Sequence, residues 1–331
     1  MVLLSVQKLS KKQDNFHLTD ISIDVSANEV LAILGESGSG KTSLLRLIAG
    51  LDKPDGGQII LRGKTLAGPQ VWVTAQERPI GLSFQEAWLF PRMTVSKNIQ
   101  AGIRSKSKQE RAEKTQEWLD LLGLGDFAHR YPRELSGGEQ QRIALARALV
   151  TEPELMLFDE PFSKLDAARR SRLRTDVARL LKHTQTAAII VTHDVEDVYA
   201  LADRVAILEN GKLVQHGKPQ EVYLYPKDAY AARLFGPANI VTGQRLQMMG
   251  VEGVEGVEGN VSYCVRPEQI KLKPAKHADA FRITEQHFHG NTYQLSLAGK
   301  HGDWIVNTAE RQDEENQFEL EILLSSFSPL A

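Results

Sequence analysis

One segment of the chain combines small, cationic and hydroxyl residues at a spacing suited to binding phosphate. Residues 30–50 form an apolar run, a glycine-rich stretch and an amphipathic run, which predicts a strand, a loop and a helix. Gly35 and Gly40 enclose four residues, and a lysine and a threonine follow them. We expect positive φ at Gly35, Gly38 and Gly40, because glycine can turn successive N–H groups toward one point. The positive end of the helix faces the same point, so the segment is predicted to bind an anionic phosphate.

Residues 35–42 match the P-loop pattern of nucleotide-binding proteins. In this pattern the lysine, here Lys41, brings a mobile positive charge to the β- and γ-phosphates of ATP, and the hydroxyl of Thr42 binds Mg²⁺. A glycine-rich turn that only ends a strand is the alternative, and the combination of spacing, strand and helix argues against it. The predicted contacts with ATP come from Gly35, Glu36, Ser37, Gly38, Ser39, Gly40, Lys41, Thr42 and Ser43.

Two carboxylates follow a second apolar run. Residues 155–158 are apolar, and Asp159 and Glu160 come directly after them. Phosphoryl transfer to water needs a carboxylate that holds Mg²⁺ and a group that orients or deprotonates the attacking water. Asp159 is therefore the predicted Mg²⁺ partner and Glu160 the predicted general base. The alternative is a pair of solvated carboxylates in a turn before Pro161, and the presence of the P-loop favours the catalytic interpretation.

A second candidate anion site begins another predicted helix. Residues 135–142 have the sequence Leu-Ser-Gly-Gly-Glu-Gln-Gln-Arg and are called the signature segment here. Ser136, Gly137 and Gly138 would expose a hydroxyl and backbone N–H groups to an anion. Ser136 and Glu139 could equally form a capping box, in which each side chain bonds the other residue's backbone N–H. These residues alone leave both interpretations open.

The composition limits the class of protein. The 331 residues are 42% hydrophobic and 25% charged, with a net charge of -2, which is typical of a globular protein and offers no overall field for nucleic acid. The single cysteine, Cys264, excludes an internal disulfide and fits a reducing compartment. No apolar run approaches the ~18 residues of a membrane-spanning helix. A role at a membrane would therefore require a partner chain.

The elements around these motifs predict an α/β fold with a mostly parallel sheet covered by helices. Ile21, Ile23 and Val25 alternate with polar residues, which predicts an antiparallel β subdomain before the buried strand of residues 30–34. A helical insert is predicted at about residues 95–150. Asn210 and Gly211 lie between two apolar runs, the pattern of a type I′ hairpin.

The chain is predicted to contain two domains. Residues 1–235 would form the nucleotide-binding domain, and the helical pattern fades after Phe235. Residues 236–331 contain short alternating stretches broken by glycine, proline and asparagine, which predicts a small all-β domain. Within them, residues 250–259 repeat Val-Glu-Gly and are predicted to form a flexible loop.

The order and spacing of the motifs resemble those of ABC-transporter ATPase subunits. The resemblance covers about residues 3–235. It is carried by residues 35–42, Gln85, residues 135–142, residues 155–160, residues 163–166 and His193. It implies a P-loop NTPase fold of the ABC type and an enzyme that hydrolyses ATP to drive solute transport across a membrane.

The resemblance also implies roles for residues that the pattern alone does not assign. Gln85 would bind the metal ion and join its site to a coupling helix of the membrane partner. His193 would contact the γ-phosphate as a switch. The signature segment, with Ser136, and Asp166 would meet ATP held by the P-loop of a second copy of the chain. Two ATP molecules would then lie between two subunits arranged head to tail.

The C-terminal region resembles the oligomer-binding-fold (OB-like) regulatory domain of importer ATPases, with residues 263–269 carrying the similarity. This resemblance implies transmembrane permease subunits as partners, an indirect role for a solute-binding protein and a peripheral location on the cytoplasmic face of the cell membrane. The context of Gln85 and the C-terminal region are most similar to ferric-iron importers. Importers of sulfate, molybdate, polyamines and sugars are the next most similar.

Two positions depart from the family pattern. The family places an aromatic residue near position 12 to stack on adenine, whereas this chain has Lys12 there, and Phe16 or His17 are the candidates to replace it. Lys164 stands where the family has a small residue, in the loop that ends at Asp166. That loop lies at the subunit interface in the family, so this cation would alter the dimer geometry or remain solvated.

Two rival functions compete with import. Non-transport ABC ATPases of DNA repair carry long coiled coils between the P-loop and the signature segment, and those of translation carry two ATPase cassettes. The roughly 95 residues between Lys41 and Ser136 and the single P-loop fit neither. The other hypothesis is a sensing module, in which residues 236–331 bind a regulator or small ligand that inhibits the ATPase.

Overall fold

The structure is a computed structural model that describes residues 1–13, 16–83, 89–103, 107–163, 165–249, 257–275, 280–322 and 328–330. Contacts divide the chain into two units, Met1–Pro219 and Gln220–Ala331. The helices and strands of the first unit follow in chain order. They are β1 (Val2–Gln13), β2 (Phe16–Ser26), β3 (Val30–Leu34), α1 (Lys41–Ala49), β4 (Gly56–Leu61), β5 (Lys64–Gly68), β6 (Val71–Trp72), β7 (Ile80–Ser83), α2 (Val95–Gln100), α3 (Lys108–Leu122), α4 (Gly137–Leu149), β8 (Leu155–Asp159), α5 (Ala167–Thr184), β9 (Ala187–Thr192), α6 (Val195–Leu201), β10 (Arg204–Glu209) and β11 (Lys212–Gly217).

Two sheets form the first unit, as the sequence predicts. The main sheet has the strand order β11-β10-β3-β9-β8-β7, in which β10, β3, β9, β8 and β7 pair in parallel and β11 is antiparallel. The second sheet is antiparallel, with the order β2-β1-β4-β5-β6. Asn210 and Gly211 have φ values of 46° and 74°, which confirms the predicted hairpin between β10 and β11.

Helices cover both faces of the main sheet. Successive side chains of a strand point to opposite faces, and β8 shows this directly. Leu155 and Leu157 pack in one apolar cluster with α1 and the antiparallel sheet, whereas Met156 and Phe158 pack in another with α4 and α5. The P-loop helix α1 and the signature helix α4 therefore lie on opposite faces of the sheet.

The helical insert consists of α2, α3 and α4, with two short 3-10 turns between α3 and α4. Its apolar side chains are buried, since Trp118 and Leu122 of α3 join Ile143 and Leu149 of α4 in one cluster. Asn98 of α2 is fully buried, and its side chain bonds four backbone groups of residues 90–94. The insert therefore fixes the chain that follows residues 84–88, which lie outside the described residues.

The second unit is rich in β-structure, and its elements follow those of the first. They are α7 (Pro219–Leu224), which begins at the unit boundary, α8 (Ala229–Leu234), β12 (Asn239–Thr242), α9 (Gly243–Met248), β13 (Ser262–Val265), β14 (Ile270–Pro274), β15 (Phe281–Phe288), β16 (Tyr293–Ala298), β17 (Trp304–Thr308), β18 (Gln317–Ile322) and β19 (Ser328–Pro329). The strands form two sheets, β12-β13-β19 and β14-β18-β15-β16-β17. The short helix α9 was not predicted from the sequence. Most of the predicted flexible loop, residues 250–256, lies outside the described residues.

The helices α7 and α8 join the second unit, although the sequence analysis assigned them to the first domain and ended that domain at residue 235. Arg266 explains this packing. This residue is 2% exposed, and its guanidinium donates to the carbonyl oxygens of Ala232 and Tyr223, each at 2.9 Å. Hydrogen bonds from a buried charged group contribute strongly to the stability of the fold. Arg266 therefore anchors α7 and α8 to the second unit. In the described part of the chain, no helix is long and apolar enough to span a membrane.

Candidate active site

The P-loop connects the buried strand β3 to helix α1, as predicted. Gly38 and Gly40 have φ values of 85° and 103°, which only glycine adopts without strain. The expectation of positive φ at Gly35 is wrong. A Cβ at Gly35 would lie 2.3 Å from the carbonyl oxygen of Leu208 and 2.6 Å from Ser39 Oγ, so glycine is required there by close packing.

The β10–β11 hairpin braces the P-loop backbone. The N–H of Gly211 donates to the carbonyl oxygen of Ser39 at 3.0 Å, and the carbonyl oxygen of Gly211 accepts from the N–H of Thr19 at 2.9 Å. The turn therefore links the P-loop to β2 through backbone groups alone. This contact joins residues that lie more than 170 positions apart in the chain.

Lys41 lies at the centre of the P-loop and is 4% exposed. Its Nζ donates to the carbonyl oxygens of Gly35 and Glu36 at 2.8 and 2.9 Å, which holds the loop around the ammonium group. Burial lowers the pKa of Lys41, and the nearby carboxylates of Glu160 and Asp159 oppose this shift. A positive charge is thus held where the loop N–H groups and the helix dipole also favour an anion.

Thr42 and Asp159 bring two oxygen ligands together. Thr42 stands in the first turn of α1, and Asp159 ends β8. The Thr42 hydroxyl donates to Asp159 Oδ1 at 3.0 Å. Burial is the largest cause of the raised pKa of Asp159. Hydroxyl and carboxylate oxygens are the ligands that Mg²⁺ prefers, so the donor set present here fits this ion.

Glu160 and His193 form the second polar pair. Glu160 Oε1 lies 3.3 Å from His193 Nδ1. Glu160 has a φ of 45°, a strained value for a residue other than glycine, which costs roughly 1–3 kcal/mol. Its N–H donates to the carbonyl oxygen of Val191 and its own carbonyl accepts from the Ser163 hydroxyl, each at 3.0 Å. These bonds hold the strained backbone in place, and His193 remains half exposed.

The signature segment begins α4 with the predicted capping box. Ser136 Oγ accepts from the N–H of Glu139 at 3.4 Å, and the Ser136 N–H donates to Glu139 Oε2 at 2.7 Å. This bond from the Ser136 backbone is the largest cause of the lowered pKa of Glu139. A Cβ added at Gly137 or Gly138 would meet no atom within 4 Å. The end of the helix is thus capped, and the space beside its glycines is open.

Asp166 caps the start of α5 and is the last residue of a segment called the linking loop here, of which residues 160–163, 165 and 166 are described. Its Oδ1 accepts from the N–H of Arg169 at 3.0 Å, which caps the helix, and its Oδ2 pairs with Arg169 Nε at 3.2 Å. Both side chains are more than half exposed. Asp166 therefore stabilises its own helix and also faces solvent.

Phe16 and His17 differ in their relation to the P-loop. A Cβ added at Gly40 would lie 2.3 Å from Phe16 Cζ, so the ring of Phe16 packs directly over the P-loop. Phe16 is partly buried against the apolar cluster of the antiparallel sheet, whereas His17 is exposed. Of the two candidates for the adenine contact, Phe16 is the aromatic ring beside the phosphate-binding loop.

An ion-pair cluster beside His193 was missed by the sequence analysis. Arg170 and Arg174 of α5 both bond Asp194 Oδ2 at 2.8 Å, and Arg174 also pairs with Asp197. The arginines are spaced as neighbours on one helix face, and the two aspartates follow His193 closely. These spacings are visible in the sequence, but the pairing of the arginines with aspartates 20 or more residues away is not.

Two predicted positions cannot be compared with the structure. Gln85 and Lys164 lie outside the described residues. The other predicted site residues fall into two groups. The P-loop, Asp159, Glu160 and His193 lie around the carboxyl ends of β3, β8 and β9, whereas the signature segment begins a helix on the opposite face of the sheet.

The fold and the site define a P-loop ATPase with a helical insert and a C-terminal β-rich unit. A family model described as ABC transporter matches residues 18–163. The solved structure of CbiO1 from Clostridium perfringens, part of an ABC transporter complex, is 28% identical, with a TM-score of 0.62 over 67% of this chain and 90% of that chain. A dimeric ATP-binding cassette bound to ADP and Pi is 27% identical, with a TM-score of 0.55 over 66% of this chain and 99% of that chain.

Three curated relatives match most of the chain. The sulfate/thiosulfate import ATP-binding protein of Burkholderia mallei is 40% identical, over 93% of this chain and 92% of that protein. The Fe(3+) ions import ATP-binding protein of Serratia marcescens is 39% identical over 89% of each. The molybdate/tungstate import ATP-binding protein of Pyrococcus horikoshii is 42% identical, over 82% of this chain and 79% of that protein.

The chain belongs to the family of ATP-binding subunits of ABC importers. The predicted family, fold class and ATPase activity are thereby confirmed. The chain is an ATPase that drives transport, and its β-rich second unit fits the predicted OB-like domain.

Proposed function

We propose that residues 35–43 bind the phosphates of ATP and that Lys41 supplies the positive charge for the β- and γ-phosphates. The observation that supports this most directly is the buried Lys41 ammonium group, which is held among carbonyl oxygens inside a loop of positive-φ glycines. A bound phosphate would place a full negative charge beside the Lys41 ammonium group, which donates to carbonyl dipoles. Such charge-assisted bonds contribute about 1.5–3 kcal/mol each.

Thr42 and Asp159 are the proposed Mg²⁺ ligands, with Gln85 as a third. The side-chain oxygens of Thr42 and Asp159 already lie within hydrogen-bonding distance of each other. When bound, Mg²⁺ neutralises charge on the β- and γ-phosphate oxygens. The raised pKa of Asp159 means that burial disfavours its charged form, and a cation beside the carboxylate would oppose this effect.

Glu160 is the proposed general base for the attacking water, and His193 the residue that contacts the γ-phosphate. The 3.3 Å separation of Glu160 Oε1 from His193 Nδ1 supports a shared role at one reacting centre. Each group needs a different position, one toward water and one toward phosphate. The strained backbone of Glu160, held by Ser163 and Val191, is a means of fixing that position.

A second copy of the chain is the proposed source of Ser136, Gly137, Gly138 and Asp166 for each ATP. Helices α1 and α4 lie on opposite faces of the main sheet, so the signature segment does not face the P-loop of its own chain. A head-to-tail pair would bring these surfaces together. The dimeric ATP-binding cassette to which this chain is similar supports this arrangement.

Phe16 is the proposed platform for the adenine ring. Its ring lies against Gly40 and is partly exposed, which leaves an aromatic face next to the phosphate site. Stacking on an aromatic ring contributes about 0.5–1.5 kcal/mol beyond area burial.

The proposed partners are transmembrane permease subunits, which place the chain at the cytoplasmic face of the cell membrane, with a solute-binding protein acting indirectly. Relatives named for sulfate, Fe(3+) and molybdate support an inorganic ion as the solute. Ferric iron is the solute we propose first. Sulfate, molybdate, polyamines and sugars are the alternatives.

Two variants separate the proposed binding and hydrolysis roles. Lys41→Ala should weaken ATP binding by roughly 10- to 100-fold, because it removes a charge-assisted contact. Glu160→Gln should bind ATP normally and lower the hydrolysis rate by roughly 10²- to 10⁴-fold. Equilibrium binding and turnover, measured for both variants, check this split. Unchanged ATP affinity for Lys41→Ala, or normal turnover for Glu160→Gln, would contradict the assignment.

The solute is tested in cells that carry Lys41→Ala, since this change stops the ATPase and leaves the permease intact. Growth on ferric iron as sole iron source should fail, while uptake of sulfate and molybdate should stay normal. If iron uptake is normal and uptake of another solute is lost, iron is rejected and the ATPase assignment stands.

A further inference from the structure

Arg170 of α5 contacts two loops that meet beside the proposed catalytic pair. The linking loop, described at residues 160–163, 165 and 166, begins at Glu160. The histidine loop, residues 192–194, carries His193 between β9 and α6. Arg170 Nη1 donates to Asp194 Oδ2 in the histidine loop at 2.8 Å. Arg170 Nη2 donates to the Leu165 carbonyl in the linking loop at 3.1 Å. One guanidinium therefore spans both loops.

The planar fork of the guanidinium makes this double contact possible. Its donors have a fixed geometry, so bonds from two Nη atoms set the separation of their acceptors. Lysine carries a single ammonium group and cannot reproduce two bonds of this fixed separation. The ion pair is partly buried, with side chains 31% exposed at Arg170 and 22% at Asp194. This burial limits screening by solvent.

The histidine loop itself is held together by other bonds. The N–H of Asp194 donates to Thr192 Oγ1, and Asp194 Oδ1 accepts from the N–H of Glu196, so both neighbours of His193 are fixed. Thr192 Oγ1 also donates to the buried Asp197, which pairs with Arg174. The loop should therefore keep its internal shape without Arg170.

Arg174 provides the comparison that isolates Arg170. Both arginines lie on α5, one turn apart, and both bond Asp194 Oδ2 at 2.8 Å. The other bond of Arg174 goes to Asp197, which lies in α6, the helix that follows the histidine loop. Arg174 thus ties the histidine loop and α6 to α5, whereas Arg170 also bonds the segment that leads from Glu160.

We infer that Arg170 is a positioning residue for hydrolysis, which sets the place of His193 relative to Glu160 by joining the histidine loop to the linking loop. The inference rests on the proposed roles of Glu160 and His193. Without Arg170 the two loops stay folded, but their relative position is no longer fixed by a shared side chain. A misplacement of about 1 Å at a reacting centre can lower the rate by roughly 10²-fold.

The test uses ATP turnover of the full chain assembled with its permease. Arg170→Met should lower kcat by roughly 10- to 100-fold and leave the KM for ATP within about twofold, since the P-loop is unchanged. Arg170→Lys should recover part of kcat, because it keeps a charge for Asp194 but not the paired geometry. Arg172→Met is the control, an exposed arginine of the same helix, and should keep normal kcat.

A double-mutant cycle with His193→Ala separates positioning from general damage to the fold. If Arg170 acts through His193, Arg170→Met should lower kcat by less than about twofold in the His193→Ala background. An equal fold-change in both backgrounds, or a normal kcat for Arg170→Met alone, would overturn the inference while the proposed function stands. A normal kcat for His193→Ala would contradict the proposed role of His193 and overturn the inference with it.

Discussion

The P-loop and the histidine loop lie at adjacent strand ends of one sheet, yet they are held in place in different ways. The P-loop takes its shape from glycine backbone conformations and from Lys41, which bonds carbonyls five and six residues away. The histidine loop keeps its internal shape through its own bonds, but arginines of α5 that lie 20 to 24 residues before Asp194 hold its position. The phosphate-binding groups of the first site come from one short segment, which the backbone of the β10–β11 hairpin braces, whereas the second site depends on side chains of a packed helix.

This difference has a functional meaning. A phosphate cradle needs N–H groups in a fixed array, which a short backbone segment supplies by itself. Groups that act on the γ-phosphate and the water must instead be placed relative to each other across two loops. Side chains from a packed helix can set such a distance. The comparison predicts that local changes damage the P-loop and that distant changes damage the catalytic pair.

The largest expected effect tests whether α1, which carries the P-loop, also depends on a distant residue. Arg78 is 4% exposed and donates to the carbonyls of Leu47 and Ile48 at the end of α1. Burial lowers the pKa of Arg78 to about 10, so it stays charged at neutral pH. Arg78→Met should lower the free energy of unfolding by about 3 kcal/mol, because buried carbonyls lose a charged donor.

Arg78→Met should nevertheless bind ATP with normal affinity at a temperature where the protein is folded. The bonds of Arg78 lie at the opposite end of α1 from the phosphate site. Denaturant unfolding and equilibrium nucleotide binding measure the two quantities separately. Loss of ATP affinity in the folded variant would show that the phosphate site also depends on a distant side chain.

A smaller effect is expected from a local change inside the P-loop. Gly40→Ala forces alanine to a φ of 103° and brings its Cβ within 2.3 Å of the Phe16 ring. The strain costs about 2 kcal/mol, which should weaken ATP binding by at least ~10-fold. Gly63→Ala is the matched control, with a φ of 77° and no atom within 4 Å of the added Cβ. This control should lose stability but keep normal ATP affinity. Equal ATP affinity for Gly40→Ala and Gly63→Ala would show that the backbone conformation at Gly40 does not shape the phosphate site.

The smallest of these effects concerns the adenine contact. Phe16→Ala should weaken ATP binding by about fivefold, because it removes about 1 kcal/mol of stacking. His17→Ala should bind ATP normally. Inorganic triphosphate should bind all three proteins equally, since neither ring touches the phosphates in this proposal. Competition binding checks both ligands, and a larger loss for His17→Ala would assign the contact to His17.

Sequence reasoning succeeded where a property is local. Spacing alone located the P-loop and the strand that precedes it, alternation located β2, and Asn210 with Gly211 located the hairpin. The two alternatives for Ser136 also followed from local rules, and the capping box is present. Each of these depends on residues that lie close together in the sequence.

Sequence reasoning failed where contacts connect residues that are far apart in the chain. Positive φ was expected at Gly35, but the carbonyl of Leu208 is what requires glycine there. The helices α7 and α8 were assigned to the first domain, because nothing in their own pattern shows that Arg266 bonds them. The pairing of Arg170 and Arg174 with Asp194 is of the same kind. Ion pairs across such separations follow from the fold and not from spacing.

The central claim is that each ATP site is completed by a second copy of the chain. It is tested most directly by light scattering on Glu160→Gln, in which hydrolysis is blocked and ATP persists. ATP should double the mass of this variant, because a ligand shared by two chains adds its binding free energy to association. Adding Ser136→Ala should abolish the doubling, whereas the matched helix-cap change Ser107→Ala should preserve it. The same mass with and without ATP, or doubling that survives Ser136→Ala, would contradict the account.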